Sequence, residues 1–249
     1  MAERIARVGW VVDAQNDFLL PPEESGRLYV HDLFDGGRDP GARLCVPALT
    51  RAVRWMEEHC DVMVYTGDWH AYGDAEIDTV APDARKGTYP PHCMGLSPDP
   101  GERLGAEVIE PIRPADPLVL DRGATEADAR EVARRAVEER RPVFIRKDRF
   151  DVFEGNPATD ALLRELRHRL GAPLEIYVAG VARDVCVKQA VEGMLAPVRR
   201  YAVTVITDAT WGLGLEDEAV SLERWSGAGA ALITTRGLEL RSQEPRAAA

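Results

Sequence analysis

Short apolar runs alternate along this chain with longer stretches in which apolar residues recur at helical spacing. The first run, Arg7 to Asp13 (RVGWVVD), ends in an acid, the form of a buried parallel strand that carries a carboxylate at its C-terminal end. Further runs at Val62–Thr66, Pro117–Leu120, Val143–Arg146, Ile176–Ala179, Tyr201–Asp208 and Ala230–Thr234 predict more strands. Between them, Val46–His59 places Val46, Leu49, Val53 and Met56 on one helical face, and helices are also expected from Thr125, over Pro157–Leu170, from Asp184 and over Glu216–Ser226. Strands alternating with helices predict an open α/β sheet, in which ligands bind at the C-terminal ends of the strands. The helix from Thr125 (TEADAREVARRAVEERR) carries Glu126 with Arg130 and Glu131 with Arg135 at i,i+4, so its charges read as a solvated face. HDLFDGGRDPGARL, rich in Gly, Asp and Arg, reads as a surface loop or flap.

With 249 residues, 45% apolar and 29% charged, the chain is long enough for one large domain, expected over residues 1–240, with residues 241–249 (ending EPRAAA) as a tail. A net charge of −11 argues against nucleic acid or an anionic membrane as partner and points to a small-molecule substrate. The N-terminal apolar run is too short for a signal peptide and no stretch reaches about 18 apolar residues, so a cytoplasmic protein is expected. Cys45, Cys60, Cys93 and Cys186 show no paired spacing and are expected as free thiols.

Candidate chemistry gathers at the strand ends. VAGVARDVCV (178–187) reads as strand, break at Gly180, then helix, with Cys186 in the first helical turn, where unpaired N–H groups can stabilise a thiolate or an oxyanion. A lone cysteine there is otherwise a packing residue. Asp13 and Lys147 end two other strands, and with Cys186 they form the set an activated thiol needs: a base, a cation and a helix N-terminus. Asp68 and His70, two apart on extended backbone, leave on the same face; His92, on a loop stiffened by Pro90 and Pro91, offers a third ligand. Asp with two His and open positions suits zinc foremost, or Fe²⁺ or Mn²⁺. No G-x-G-x-x-G follows the first strand, which excludes a dinucleotide-binding reading.

VVDAQNDF, GDWH, PPHCMGLSPDPGERL, the lysine of FIRKDRFDVF and GVARDVCV, in this order between Val8 and Thr235, resemble the isochorismatase-like cysteine hydrolases, most of all the nicotinamidase branch. The resemblance implies a Rossmann-like, mostly parallel sheet of about six strands between two helical layers. It implies Asp13 as general base, Lys147 as catalytic lysine, Cys186 as nucleophile, and Asp68, His70 and His92 as ligands of a divalent metal. It also implies a cis peptide between Val181 and Ala182 that shapes an oxyanion hole with the Cys186 N–H, and Phe18 and Trp69 at the substrate pocket. The activity implied is cleavage of a small amide, nicotinamide to nicotinate and ammonia; a homo-oligomer is the family expectation. Three features depart from the pattern. Asp74 or Glu76 stands where many nicotinamidases have a second histidine, as an oxygen ligand or a group orienting a water. Arg183 replaces a threonine and could bind a carboxylate-bearing ureido or maleamate-type amide instead, or face solvent. Insertions at 31–44 and about 116–141 are expected at the pocket mouth or an oligomer contact.

Overall fold

The computed structural model describes residues 4–243. The chain opens with strand β1 (Ala6–Val12), the one-turn helix α1 (Asn16–Leu19), helix α2 (Val46–His59) and strand β2 (Val62–Asp68). A long loop segment with the one-turn helix α3 (Pro100–Arg103) leads to β3 (Leu118–Leu120), α4 (Glu126–Glu139) and β4 (Val143–Lys147). Then follow α5 (Val152–Gly155), α6 (Thr159–Leu170), β5 (Leu174–Val181), α7 (Cys186–Leu195), β6 (Ala202–Trp211), α8 (Glu218–Gly227), β7 (Ala231–Ile233) and α9 (Thr235–Gln243). All seven strands are parallel, in the order β3-β4-β2-β1-β5-β6-β7. The resemblance implied about six strands; the seventh comes from the short edges β3 and β7, both read in the sequence. α9 takes in the first three residues of the expected tail, and the rest of that tail lies outside the described residues. No helix among the described residues is long and apolar enough to cross a membrane.

Strand side chains divide between two cores, making three layers. One face packs Val8, Trp10, Val64, Ile145 and Ile176 under α4, α6, α7 and α8; the other packs Val11, Tyr65, Phe144 and Tyr177 under α2, α9 and the long loops. α2 has the expected boundaries and buries Leu49, Val53 and Met56, with Pro47 in its first turn, where its missing N–H costs nothing. α4 begins with a Thr125–Asp128 capping box and buries Ala129, Ala133 and Ala136, small residues that allow close packing on α6. Its outer face is solvated as expected, with Arg130 on Glu126; Glu131, however, pairs with Arg134 at i,i+3, and Arg135 takes Glu139.

Strand β5 does not break at Gly180 but runs on to Val181, past a bulge against β6 between Val178 and Gly180. Gly180 has φ +125°, and a Cβ there would lie 2.0 Å from the Val12 carbonyl oxygen, so only glycine lets β5 pass the end of β1 this closely. The strand order makes β4, β2, β1 and β5 consecutive neighbours, which sets Lys147, Asp68, Asp13 and the turn before Cys186 side by side at the C-terminal edge.

Candidate active site

Lys147 and Asp68 are register partners at the ends of β4 and β2. Asp13 follows β1 in a left-handed conformation, φ +47°, unusual for a non-glycine residue and concentrated at functional positions. All three are buried. Lys147 Nζ donates to Asp68 Oδ1, lies 2.9 Å from Asp13 Oδ2, and reaches Cys186 Sγ at 3.7 Å. Thr66 Oγ1 donates to Asp13 Oδ1 at 2.7 Å, and the acceptor atoms of Asp13, Asp68 and Cys186 lie within 4.8 Å of one another.

Burial dominates the protonation of this group. It raises Asp13 above the ordinary carboxylate range against the pull of Lys147. Burial would also raise Asp68, but the Lys147 ammonium and the two neighbouring imidazoles hold that carboxyl well below its usual range. Burial, with the two carboxylates, pushes the Cys186 thiol well above its ordinary value despite Lys147. Burial therefore favours a resting thiol at Cys186 over the preformed thiolate that the helix N-terminus and the cation alone would favour. The turn 182–186 ends with Val185 N–H and Val187 N–H both donating to the Ala182 carbonyl, at 3.1 and 3.0 Å, and the Val181–Ala182 peptide is cis.

Asp68, His70 and His92 form a second, adjoining constellation whose donor atoms lie within 4.8 Å of one another. Both histidines present Nε2 to Asp68 Oδ2 at 3.8 Å, too far for a hydrogen bond, and His70 Nε2 is buried with no hydrogen-bond partner. Their other nitrogens are engaged: His92 Nδ1 sits 2.8 Å from the Pro90 carbonyl and His70 Nδ1 3.3 Å from Asp74 Oδ2. Outward Nε2 atoms backed by acceptors at Nδ1, around a shared carboxylate, form a donor set that could hold a divalent metal. Asp74 thus stands behind His70 rather than among the ligand atoms. One Glu76 oxygen accepts from Phe150 N–H at 2.8 Å, and the other is buried without a partner.

Beside the two constellations lies a narrow cleft lined by Phe18, Leu28, Val30, Tyr89, Phe150, Ala182, Val185 and Leu213, with Asp68, His92 and Cys186 as its polar members. It offers about 20 Å³ for the centre of a water-sized molecule, room for one. Phe18 lines it, with its ring 5.3 Å from that of His92. Trp69 does not: it packs edge-on against Phe144, over Gly95 and under the Arg146 guanidinium. Arg183 also leaves the cleft. Its guanidinium pairs with Glu218 at 3.4 Å in a separate depression lined by Asp32, Asp39, Asp208 and Asp217, because residue 183 points away from the turn that aims Cys186 inward. His168 is exposed, and Asp208 caps α9 through Thr235 N–H and Oγ1.

Sequence reasoning missed the residues that hold these groups from behind. Gln15 clamps the Asp68 backbone from both sides, accepting from its N–H and donating to its carbonyl, each at 2.8 Å. Asp17 accepts from Cys93 N–H at 2.6 Å and so fixes the loop that carries His92; a Cβ at Gly105 would meet its carboxylate at 2.0 Å. Asp184 accepts from Leu213 and Leu215 N–H, tying the turn before Cys186 to the cleft wall. The alternation of Asp13, Gln15 and Asp17 in DAQND was the available signal.

The family model "Isochorismatase domain" matches residues 115–237, which take in Lys147 and Cys186, while Asp13 and the Asp–His–His set precede the matched segment. No curated protein matches. Among solved structures, the chain resembles a pyrazinamidase of Pyrococcus horikoshii in complex with zinc at 22% identity and a TM-score of 0.58, covering 92% of this chain and 98% of that one. The nicotinamidase/pyrazinamidase of Bacillus subtilis aligns at 17% identity and a TM-score of 0.59, covering 92% and 100%. An N-carbamoylsarcosine amidase from Thermoplasma acidophilum aligns at 21% and 0.58, covering 93% and 97%.

Proposed function

We propose that this chain, an isochorismatase-like protein in both its domain match and its fold, hydrolyses a small neutral amide through a thioester on Cys186, with nicotinamide as substrate and nicotinate and ammonia as products. The observation that carries the reading is the meeting of Asp13, Lys147 and Cys186 beside the Asp68–His70–His92 set, under an apolar roof. Asp13, lifted by burial, is a better proton acceptor than an ordinary carboxylate. It takes the Cys186 proton as sulfur attacks the amide carbonyl carbon, and the oxyanion is received at the N-terminus of α7 by the Cys186 N–H. Asp13 returns the proton to the departing nitrogen, ammonia leaves, and Asp13 then deprotonates a water that cleaves the thioester and restores the thiol. Lys147 stays an ammonium throughout and holds Asp13 and Asp68 in register. Asp68, His70 and His92 would hold the metal, which when bound supplies a Lewis-acid site for a substrate lone pair such as a ring nitrogen.

The cleft supports a neutral substrate. No Lys or Arg is among the described residues that line it, the nearby Lys147 is committed to two carboxylates, and Arg183 faces elsewhere, so a carboxylate on the substrate would find no lysine or arginine to pair with there. Ammonia release from nicotinamide, run beside ureido and maleamate-type acids, is the test. Turnover of nicotinamide with the acids inert is expected; turnover confined to the acids would replace this substrate assignment.

A further inference from the structure

The segment 116–141, expected at the pocket mouth or an oligomer contact, forms β3 and α4, the strand and helix read in the sequence, and the turn between them sends Arg122 across the end of β4 to the loop that follows β2. There the guanidinium donates to the Trp69 carbonyl at 2.8 Å, to both oxygens of Asp74 at 2.9 and 3.2 Å, and to Asp148 at 2.7 Å. One planar group thus joins the loop carrying His70 to the residue next to Lys147. Asp74 accepts in addition from Ala71 N–H at 2.9 Å, and its Oδ2 faces His70 Nδ1. Asp74 Oδ2 thus meets Arg122, Ala71 N–H and His70 at once while Oδ1 takes the other arm of Arg122, and the carboxylate backs the imidazole whose other nitrogen is the orphaned one.

We infer that Arg122 is a positioning residue for the metal centre: through Asp74 it holds His70 with Nδ1 as donor and Nε2 aimed at the ion. The inference rests on the Asp68–His70–His92 metal reading. A planar fork suits this task because it meets both carboxylate oxygens, a carbonyl and a second acid in one plane, which a lysine cannot do. Groups that orient a metal-bound histidine typically change metal affinity 10–100-fold when removed.

The test is zinc affinity, measured by competition with a chromophoric chelator, for the wild-type protein, Arg122→Gln, Arg122→Lys, Asp74→Asn and the Arg122→Gln/Asp74→Asn double variant, each checked for its thermal midpoint. Arg141→Gln, at the far end of the same segment, serves as control, since Arg141 pairs with Asp116 and Glu139 only. Expected are about 10–100-fold weaker zinc binding in Arg122→Gln, a smaller loss in Arg122→Lys, no change in Arg141→Gln, and a double variant no weaker than the worse single one. Wild-type affinity in a folded Arg122→Gln protein would overturn the inference, and so would losses that add in the double variant. If Arg122→Gln does not fold, Arg122→Lys decides: unchanged affinity there overturns it. A wild-type protein that binds no zinc, iron or manganese would instead remove the metal reading on which it stands.

Discussion

Lys147 is buried between the carboxylates of Asp13 and Asp68, and without it those two acids would share one desolvated site with no counter-charge. Breaking a buried ion pair by removing one partner costs about 3–5 kcal/mol, the loss expected for Lys147→Met in metal-free protein near neutral pH. The sign of its pH dependence follows from linkage. Lys147 now helps hold Asp68 below its unfolded value, which stabilises the fold above that value and is lost as pH falls. In the methionine variant burial would raise both carboxyls, so the destabilisation is largest at neutral pH and shrinks toward about pH 4, where unfolded carboxylates also protonate. Urea denaturation of both proteins across that range measures it; a loss independent of pH would mean that packing, not charge, is at stake. At this scale the residues that meet at the C-terminal edge, Asp13, Lys147 and Cys186 with Asp68, His70 and His92, were legible because strand ends and motifs mark them. The directions in which Trp69 and Arg183 face were not legible, because neighbours in sequence on a turn point differently, and a string of letters does not carry that direction.

Among the elements, α2 was readable to its ends because a strict apolar stripe and a proline define it. β5 was not, since Gly180 reads as a break but serves as a close-approach position within the strand. The loop 212–216 shows the same limit: its anchor is Asp184, thirty residues earlier in chain and adjacent only in space. Removing that carboxylate in Asp184→Ala leaves buried N–H groups unpaired and is expected to cost about 1–3 kcal/mol. Because Leu213 lines the cleft and accepts from Leu33 N–H in the 31–44 segment, KM should rise more than kcat falls. Steady-state kinetics on nicotinamide checks this; an unchanged KM would detach the loop from substrate binding. The space among these side chains is small, about 20 Å³ for the centre of a water-sized molecule, and the Leu33–Leu213 contact is the part of the wall that an entering substrate is expected to displace. The Leu33 amide is accordingly expected to exchange with solvent far faster than those of β1, measured by hydrogen exchange; equal protection would place the path of access elsewhere.

For the molecule as a whole, function depends on strand order, because Lys147, Asp68, Asp13 and Cys186 are spread over most of the chain and meet only where β4, β2, β1 and β5 run side by side. The α/β class was legible from the alternation of runs; that four particular strands are neighbours was not, since pairing is a property of packing. The same convergence couples metal to stability: an ion bound only by the folded state at 100 times its Kd adds about 2.7 kcal/mol, or roughly 5–10 °C in Tm at this size. Chelation should remove that increment, and an unchanged Tm would argue that the three ligands are held apart from any ion. The most direct measurement is ammonia release from nicotinamide by Cys186→Ala beside the wild-type protein, with metal content and Tm determined on both. Loss of turnover with metal and fold retained is the expected result. Turnover that survives in Cys186→Ala but vanishes in His70→Ala would contradict thiol catalysis and assign the reaction to the metal site alone.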